Sequence, residues 1–245
     1  LRQLVGEQLM LAEKLSGGAA PAVIYVDDVF SIWLYTGNSS TQTITNGINL
    51  SAYGGLVWGK SRSGAYNHEL VDTARGAGNA LRSNQTAAST TSCDVNSFTT
   101  TGFTLNSAGG GEINTNTVTE VAWTFRKAAK FFDVVTYTGT GVARTVSHSL
   151  GSTPGCIIVK CTTTGATNWR VYHNGLTSSA YTIQLDQTNA QSNQTSIWNS
   201  TAPTASSFTV GTDPSVNSLG DQYVAYIFAH NADRKSTRLN SSHTD

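Results

Sequence analysis

The sequence repeats itself after about 100 residues, and this repeat limits the fold more than any other feature. The period is far too long for a solenoid, so each copy should be a domain with its own core. We therefore predict two tandem domains, repeat 1 at 29–130 and repeat 2 at 131–232. The matching segments keep their order: 35–37 (YTG) with 137–139 (YTG), 55–60 (GLVWGK) with 155–160 (GCIIVK), 102–105 (GFTL) with 207–210 (SFTV), and 121–125 (VAWTF) with 224–228 (VAYIF).

Within each copy, short apolar segments alternate with turns every eight to twelve residues, and no helical period is present. The 23 glycines and many Ser, Thr and Asn residues fit a protein with many turns. This pattern predicts an all-β fold of two tandem β-sandwich domains, of the jelly-roll or concanavalin-like type. Residues 1–18 are predicted to be a short helix or linker, and a break in the first strand region is expected at Asp27-Asp28.

Composition excludes several classes of protein. Lys and Arg together number 15, as do Asp and Glu, so the chain lacks the basic face that a nucleic-acid-binding protein needs. No apolar run is long enough to cross a bilayer, so no membrane insertion is expected. The three cysteines show no C-x-x-C spacing, and we expect free thiols, with Cys156 and Cys161 on opposite faces of one strand.

The sequence predicts no catalytic, cofactor or metal site. A glycosidase needs two carboxylates across a cleft, but the repeat places Arg170 where Glu69 stands and His173 where Asp72 stands. A catalytic pair is therefore not duplicated. The histidines and acids show no metal-ligand spacing.

Four aromatic residues are candidates for glycan contact, because sugars stack on exposed aromatic rings. They are Trp33, Trp169, Tyr172 and Trp198. The other interpretation is that most aromatic residues lie in apolar strands and form the core, as expected for Trp58 and Trp123.

The C-terminal stretch 233–243 (DRKSTRLNSSH) differs from everything before it. It is charged, lacks aromatic residues and resembles a common sequencing adapter translated in frame. We therefore interpret 233–245 as an artefactual or disordered tail. On this interpretation we expect the chain to be a fragment that ends near Ala232.

The quoted blocks, together with 67–81 (NHELVDTARGAGNAL), 144–160 (RTVSHSLGSTPGCIIVK) and 168–173 (NWRVYH), resemble a family of uncharacterised virion proteins of tailed phages, common in marine viruses. The resemblance runs from about Asp28 to Ala232 and implies β-sandwich domains on tail fibres or other appendages. It brings no established catalytic or binding residues. Gly59 and Cys161 depart from the expected pattern, where a bulky and a polar residue are usual.

Three functions follow as hypotheses. The first is a non-catalytic structural or adhesive module of a tailed-phage virion, assembled in the bacterial cytoplasm and located on a tail fibre or appendage. Its expected partners are other virion proteins, its own copies in a homo-oligomer, and a host surface glycan. The second is a lectin-like domain that binds host glycans, and the third is a tail-spike glycan depolymerase.

Overall fold

The computed structural model describes residues 24–106 and 111–230, and the features predicted at 1–18 and 233–245 lie outside these ranges. The described chain is mostly β, with 41% strand and 7% helix, arranged in several antiparallel sheets. This confirms the predicted β class. No helix in the described ranges is both long and apolar enough to span a membrane.

Repeat 1 forms one larger and one smaller sheet. The large sheet has the strand order β1-β7-β3-β4, and the small sheet has the order β2-β6-β5. A short 3₁₀ turn at Val26–Asp28 stands at the predicted break, and helix α1 spans Leu50–Tyr53. The strands are β1 (Phe30–Thr36), β2 (Gln42–Thr45), β3 (Gly55–Ser61), β4 (Glu69–Asp72), β5 (Val95–Phe98), β6 (Gly102–Leu105) and β7 (Thr119–Arg126).

Repeat 2 has the same plan with a wider large sheet. Its order is β13-β12-β11-β10-β15-β8, beside a small sheet of β14 and β9. Two short helices, α2 (Thr195–Trp198) and α3 (Pro214–Asn217), lie in its loops. The strands are β8 (Phe132–Thr138), β9 (Arg144–Ser147), β10 (Pro154–Cys161), β11 (Arg170–His173), β12 (Tyr181–Gln184), β13 (Ser192–Asn193), β14 (Ser207–Val210) and β15 (Gln222–Ala229).

The two repeats share their strand register as well as their strand order. Tyr35 pairs with Glu120 in repeat 1, and Tyr137 pairs with Tyr223 at the equivalent place in repeat 2. Glu120 also pairs with Ser61, as Tyr223 pairs with Cys161. A one-residue slip would turn every side chain to the opposite face, so the matched registers place equivalent residues on the same face of each large sheet.

Each repeat has an apolar core on one face of its large sheet, beneath its small sheet. In repeat 1 this core includes Val57, Phe103 and Ala122. In repeat 2 it includes Ile157 and Phe208, and it also contains Cys161. The described cysteines are free, with Cys156 on the opposite side of β10 in a different cluster, as predicted.

A third apolar cluster lies between the repeats, because the two large sheets pack face to face. Leu56 and Leu70 of repeat 1 meet Ile158, Val224 and Tyr226 of repeat 2 in this cluster. The central strands are therefore buried on both faces, which explains why they read as continuous apolar runs. On β7, Phe125 packs against this inter-repeat cluster, while Ala122 enters the core of repeat 1.

The repeated Tyr-Thr-Gly motif holds one loop in the same way in both copies. The Tyr35 hydroxyl donates to the Ile113 carbonyl at 2.8 Å, and the Tyr137 hydroxyl donates to the Val216 carbonyl at 2.7 Å. At Gly37, a Cβ atom would come within 2.2 Å of the Thr115 carbonyl oxygen, so the close approach requires glycine.

The glycine at position 59, unexpected from the family pattern, has a related cause. A Cβ atom there would lie 2.6 Å from the Ile113 side chain. Ile113 itself is fully buried in the core of repeat 1. The small residue on β3 therefore makes room for the loop that Tyr35 holds in place.

Candidate functional site

A polar surface groove of about 410 Å³ lies between the repeats. One wall is the segment 84–87 of repeat 1, and the other is Asp186 with Gln187 of repeat 2. The lining side chains are amides, one hydroxyl, one methyl group and one carboxylate. None of the described residues that line the groove is cationic, so the groove suits a neutral, hydroxyl-rich ligand better than an anion.

Buried groups of repeat 2 fix the repeat 1 wall. The indole N–H of Trp169 lies 3.2 Å from the Arg82 carbonyl oxygen and 3.0 Å from that of Gln85, to which it donates. The Lys160 ammonium donates to the Thr86 carbonyl at 2.9 Å. Because burial lowers the pKa of Lys160 to about 8, these carbonyl contacts compensate a costly position. The wall is therefore held before any ligand binds.

The repeat 2 wall is oriented by its own backbone. Asp186 accepts a hydrogen bond from the Trp169 backbone N–H and another from the Asn168 amide, each at 3.2 Å. Each carboxylate oxygen keeps further lone pairs for an incoming hydroxyl. Gln187 is exposed beside it, so this wall offers both acceptors and donors.

Two further grooves present different chemistry. A groove of about 290 Å³ contains Arg75 and Ser89 of repeat 1 with Thr162 of repeat 2. The Arg75 guanidinium is occupied, because it donates to Asp72, Ser89, the Leu70 carbonyl and the Tyr226 hydroxyl. It therefore supports the inter-repeat interface rather than an anion.

The third groove, of about 190 Å³, lies at the connection between the repeats and contains Lys127 and Asp133. These two residues form an ion pair at 2.8 Å. In each of the three grooves, at most one of the described lining residues carries a carboxylate.

The four candidate glycan-contact aromatics do not form one platform. Trp169 and Trp198 are 0% and 2% exposed, and Tyr172 is 8% exposed. Tyr172 packs edge-on against Trp198 in the core of repeat 2, with their ring centroids 6.1 Å apart. Trp33 on β1 remains exposed at 40%. Trp169, Tyr172 and Trp198 therefore fit the alternative interpretation, in which such aromatic residues form the core.

Two tryptophans that the sequence assigned to the core are only partly covered. Trp58 and Trp123 pair edge to face at 6.3 Å on the inter-repeat side of the repeat 1 sheet, and both are half-buried. The Trp58 indole donates to the His68 ring at 3.1 Å. Strands that are apolar on both faces give no sequence signal for which tryptophan is fully covered.

Acidic residues do meet inside repeat 1, but away from the grooves. Glu69 accepts hydrogen bonds from the backbone N–H groups of Asp94 and Val95 through one oxygen, while its second oxygen has no partner within 24–106 and 111–230. Burial, with a smaller contribution from Asp94, raises the pKa of Glu69 to about 8 and that of Glu120 to about 7. In the described ranges, no three His, Cys, Asp or Glu residues are grouped so that they could hold a metal ion.

Sequence comparison identifies the family of the chain. A family model described as a domain of unknown function, DUF7483, matches residues 26–233, so the chain belongs to this family. The match spans both repeats, and the family unit therefore includes the interface and the groove between them. No curated protein and no solved structure matches the chain.

Proposed function

We propose that this chain is a non-catalytic structural and adhesive module of a tailed-phage virion, carried on a tail fibre or another appendage. In this proposal the module is a tandem pair of β-sandwich domains of the jelly-roll or concanavalin-like type. Its partners are other virion proteins, further copies of itself and a host surface glycan. The observation that carries the proposal is that the duplication keeps the fold and changes the reactive residues.

The kept residues hold backbone in place. Asn114 and Asn217 occupy equivalent loop positions, and each amide bonds to surrounding backbone carbonyls while its oxygen accepts an N–H group. The changed residues are the reactive types, since Glu69 corresponds to Arg170 in the same strand register. A scaffold does not need these residues, whereas a glycosidase needs a pair of carboxylates across one cleft.

The neutral composition and the polar groove also support a module that binds its partners without catalysing a reaction. A tail-spike depolymerase would need two carboxylates across one cleft, and each described groove offers at most one. Glu69 and Glu120 are buried in repeat 1, so they are poorly placed to contact a polysaccharide.

Mass spectrometry of purified virions tests the proposal. Virions of a phage that encodes this chain should contain tryptic peptides from both repeats at structural stoichiometry. Purified protein should release no reducing ends from host polysaccharides. Peptides restricted to the infected-cell lysate, or turnover of a bacterial glycan, would contradict the proposal.

The second candidate function is binding of a host glycan in the groove, favoured by its amide, hydroxyl and carboxylate lining. Saturation-transfer NMR with neutral host polysaccharides should detect binding to the full chain. Gln187→Ala and Asp186→Asn should weaken that binding about tenfold, because each removes one directional polar contact. Leu219→Ala, at an exposed residue that does not line the groove, serves as the control and should bind like the wild type. Loss of binding in Trp33→Ala alone would instead place the glycan on β1.

A further inference from the structure

The outer edge of β1 is a surface that the described chain leaves uncovered. Strand β1 pairs with β7 on one side and with no strand of 24–106 or 111–230 on the other. Its central residues Ile32, Trp33 and Leu34 are 59%, 40% and 58% exposed. Three consecutive large apolar residues with this exposure on an edge strand indicate an interaction surface.

The backbone of this edge is arranged for strand pairing. Gly37 donates its N–H to the Val118 carbonyl, and the Val29 carbonyl accepts from Arg126, each at 2.8 Å. Odd-numbered residues of β1 therefore bond to β7. By the alternation of an antiparallel ladder, the N–H and C=O groups of Ile32 and Leu34 point to the open side.

The equivalent strand of repeat 2 lacks these features. Val134, which corresponds to Ile32, is 1% exposed, and Thr136 replaces Leu34. Arg144 donates to the Thr138 carbonyl at 2.8 Å, so a cation stands at the edge of β8. In repeat 1 the equivalent carbonyl, that of Thr36, accepts a hydrogen bond from the neutral side chain of Gln42. Charges at a sheet edge prevent pairing, and β1 (FSIWLYT) contains none.

The exposed row is also continuous with the interface between the repeats. Phe30 precedes Ile32 on the same face of β1, and its ring lies 4.8 Å from that of Phe125. Phe125 in turn lies 5.5 Å from Phe132 and 5.4 Å from Phe228 of repeat 2. An apolar face that already joins two repeats thus extends beyond them onto the open strand.

We propose that β1 pairs antiparallel with β1 of a second copy of this chain, across a twofold axis at Trp33. Centring the pair on Trp33 sets Ile32 of each copy opposite Leu34 of the other. This places their outward backbone groups in register for hydrogen bonds and brings the two Trp33 side chains together. A twofold interface requires a self-complementary patch, which an uncharged strand with similar residues on both sides of its centre provides. The pairing gives a surface to the self-association included in the proposed function.

Light scattering coupled to size exclusion tests the pairing on the full chain. The wild type should be a dimer at micromolar concentration, and Leu34→Lys should weaken the dimer about tenfold or more, because two cations then meet at the edge. Thr136→Lys, which introduces a lysine at the equivalent exposed position of β8, should remain dimeric. Circular dichroism should show that both variants fold.

Hydrogen exchange provides the second measurement. In the wild type, the amides of Ile32 and Leu34 should exchange slowly, and Leu34→Lys should abolish this protection at Ile32. A wild-type monomer, a dimer that Leu34→Lys leaves intact, or a dimer that Thr136→Lys disrupts equally would each overturn the pairing. A monomer with protected β1 amides would assign the edge to another segment of the chain. None of these results depends on finding the chain in virions, so a failure of the pairing is separate from a failure of the proposed function.

Discussion

The two repeats differ most clearly in one row of residues across the large sheet. In repeat 1 the row is Tyr35–Glu120–Ser61, and in repeat 2 it is Tyr137–Tyr223–Cys161. The Tyr223 hydroxyl donates to the Pro214 carbonyl and accepts from the Ser218 N–H. The Glu120 carboxylate is fully buried, and neither oxygen has a hydrogen-bond partner among the residues that the structure describes.

This comparison separates what the fold requires from what it tolerates. The tyrosine that holds the loop is the same in both rows, since both hydroxyls bond to a loop carbonyl. The central residue differs completely, and repeat 1 accepts a buried acid whose ionised form is unfavourable. The equivalent position in repeat 2 satisfies its polar atom. The buried acid of repeat 1 should therefore lower the stability of the whole unit above neutral pH.

The largest expected effect comes from the residue that joins the repeats. Trp169→Ala should lower the free energy of unfolding by about 3–5 kcal/mol, because it leaves a cavity and removes two hydrogen bonds to repeat 1. His68→Ala, at the equivalent position of repeat 1, should cost less than about 1 kcal/mol. Urea denaturation measures both. Similar costs for the two variants would contradict the asymmetry of the interface.

The shared loop anchor should give equal effects in the two repeats. Asn114→Ala and Asn217→Ala should each cost about 1–3 kcal/mol, because each strands buried backbone groups. Hydrogen exchange should show increased opening of the loop before β7 in the first variant and of the loop before β15 in the second. An effect in only one repeat would mean that the conserved contacts are not equivalent in energy.

Glu120→Gln should stabilise the protein at pH 8 and change little at pH 4. Burial and Asp94 raise the pKa of Glu120 from its ordinary value of 4.5 to about 7, so the folded state retains a proton that the unfolded state releases. Stability is therefore complete below about pH 4.5 and falls as the pH rises to about 7. The gain at pH 8 should be about 1–2 kcal/mol. Thermal unfolding across this range checks the sign, and a variant with the same pH dependence as the wild type would exclude Glu120 as its source.

The smallest change in the free energy of unfolding is expected for a substitution in the groove, which lies between the repeats and has no equivalent within either of them. Gln187→Ala should change the free energy of unfolding by no more than about 0.5 kcal/mol, since the side chain is exposed. Urea denaturation of this variant separates a role in ligand binding from a role in stability. A loss above about 2 kcal/mol would show that the groove residues are structural.

The sequence indicated several strands because their segments recur in the same order in both repeats. The repeated segments 55–60 and 102–105 lie in strands β3 and β6. It could not predict the face-to-face packing of the large sheets, because strands that are apolar on both faces do not reveal their partner. Trp169 was therefore considered for a ligand surface, although it lies in the inter-repeat cluster.

The groove was missed for a different reason. Its walls are Asn84, Gln85 and Thr86 with Asp186 and Gln187, which belong to loops that differ between the two copies. Polar residues in loops match no motif, and tertiary packing alone brings these two segments together. Only the difference in loop length between the repeats could have drawn attention to them.

Differential scanning calorimetry of the full chain tests the central claim, that the two repeats form one structural unit joined by their large sheets. The interface predicts a single cooperative transition in which the calorimetric and van't Hoff enthalpies agree, and Trp169→Ala should lower its midpoint as a whole. Two resolved transitions, with Trp169→Ala shifting only that of repeat 2, would contradict the account.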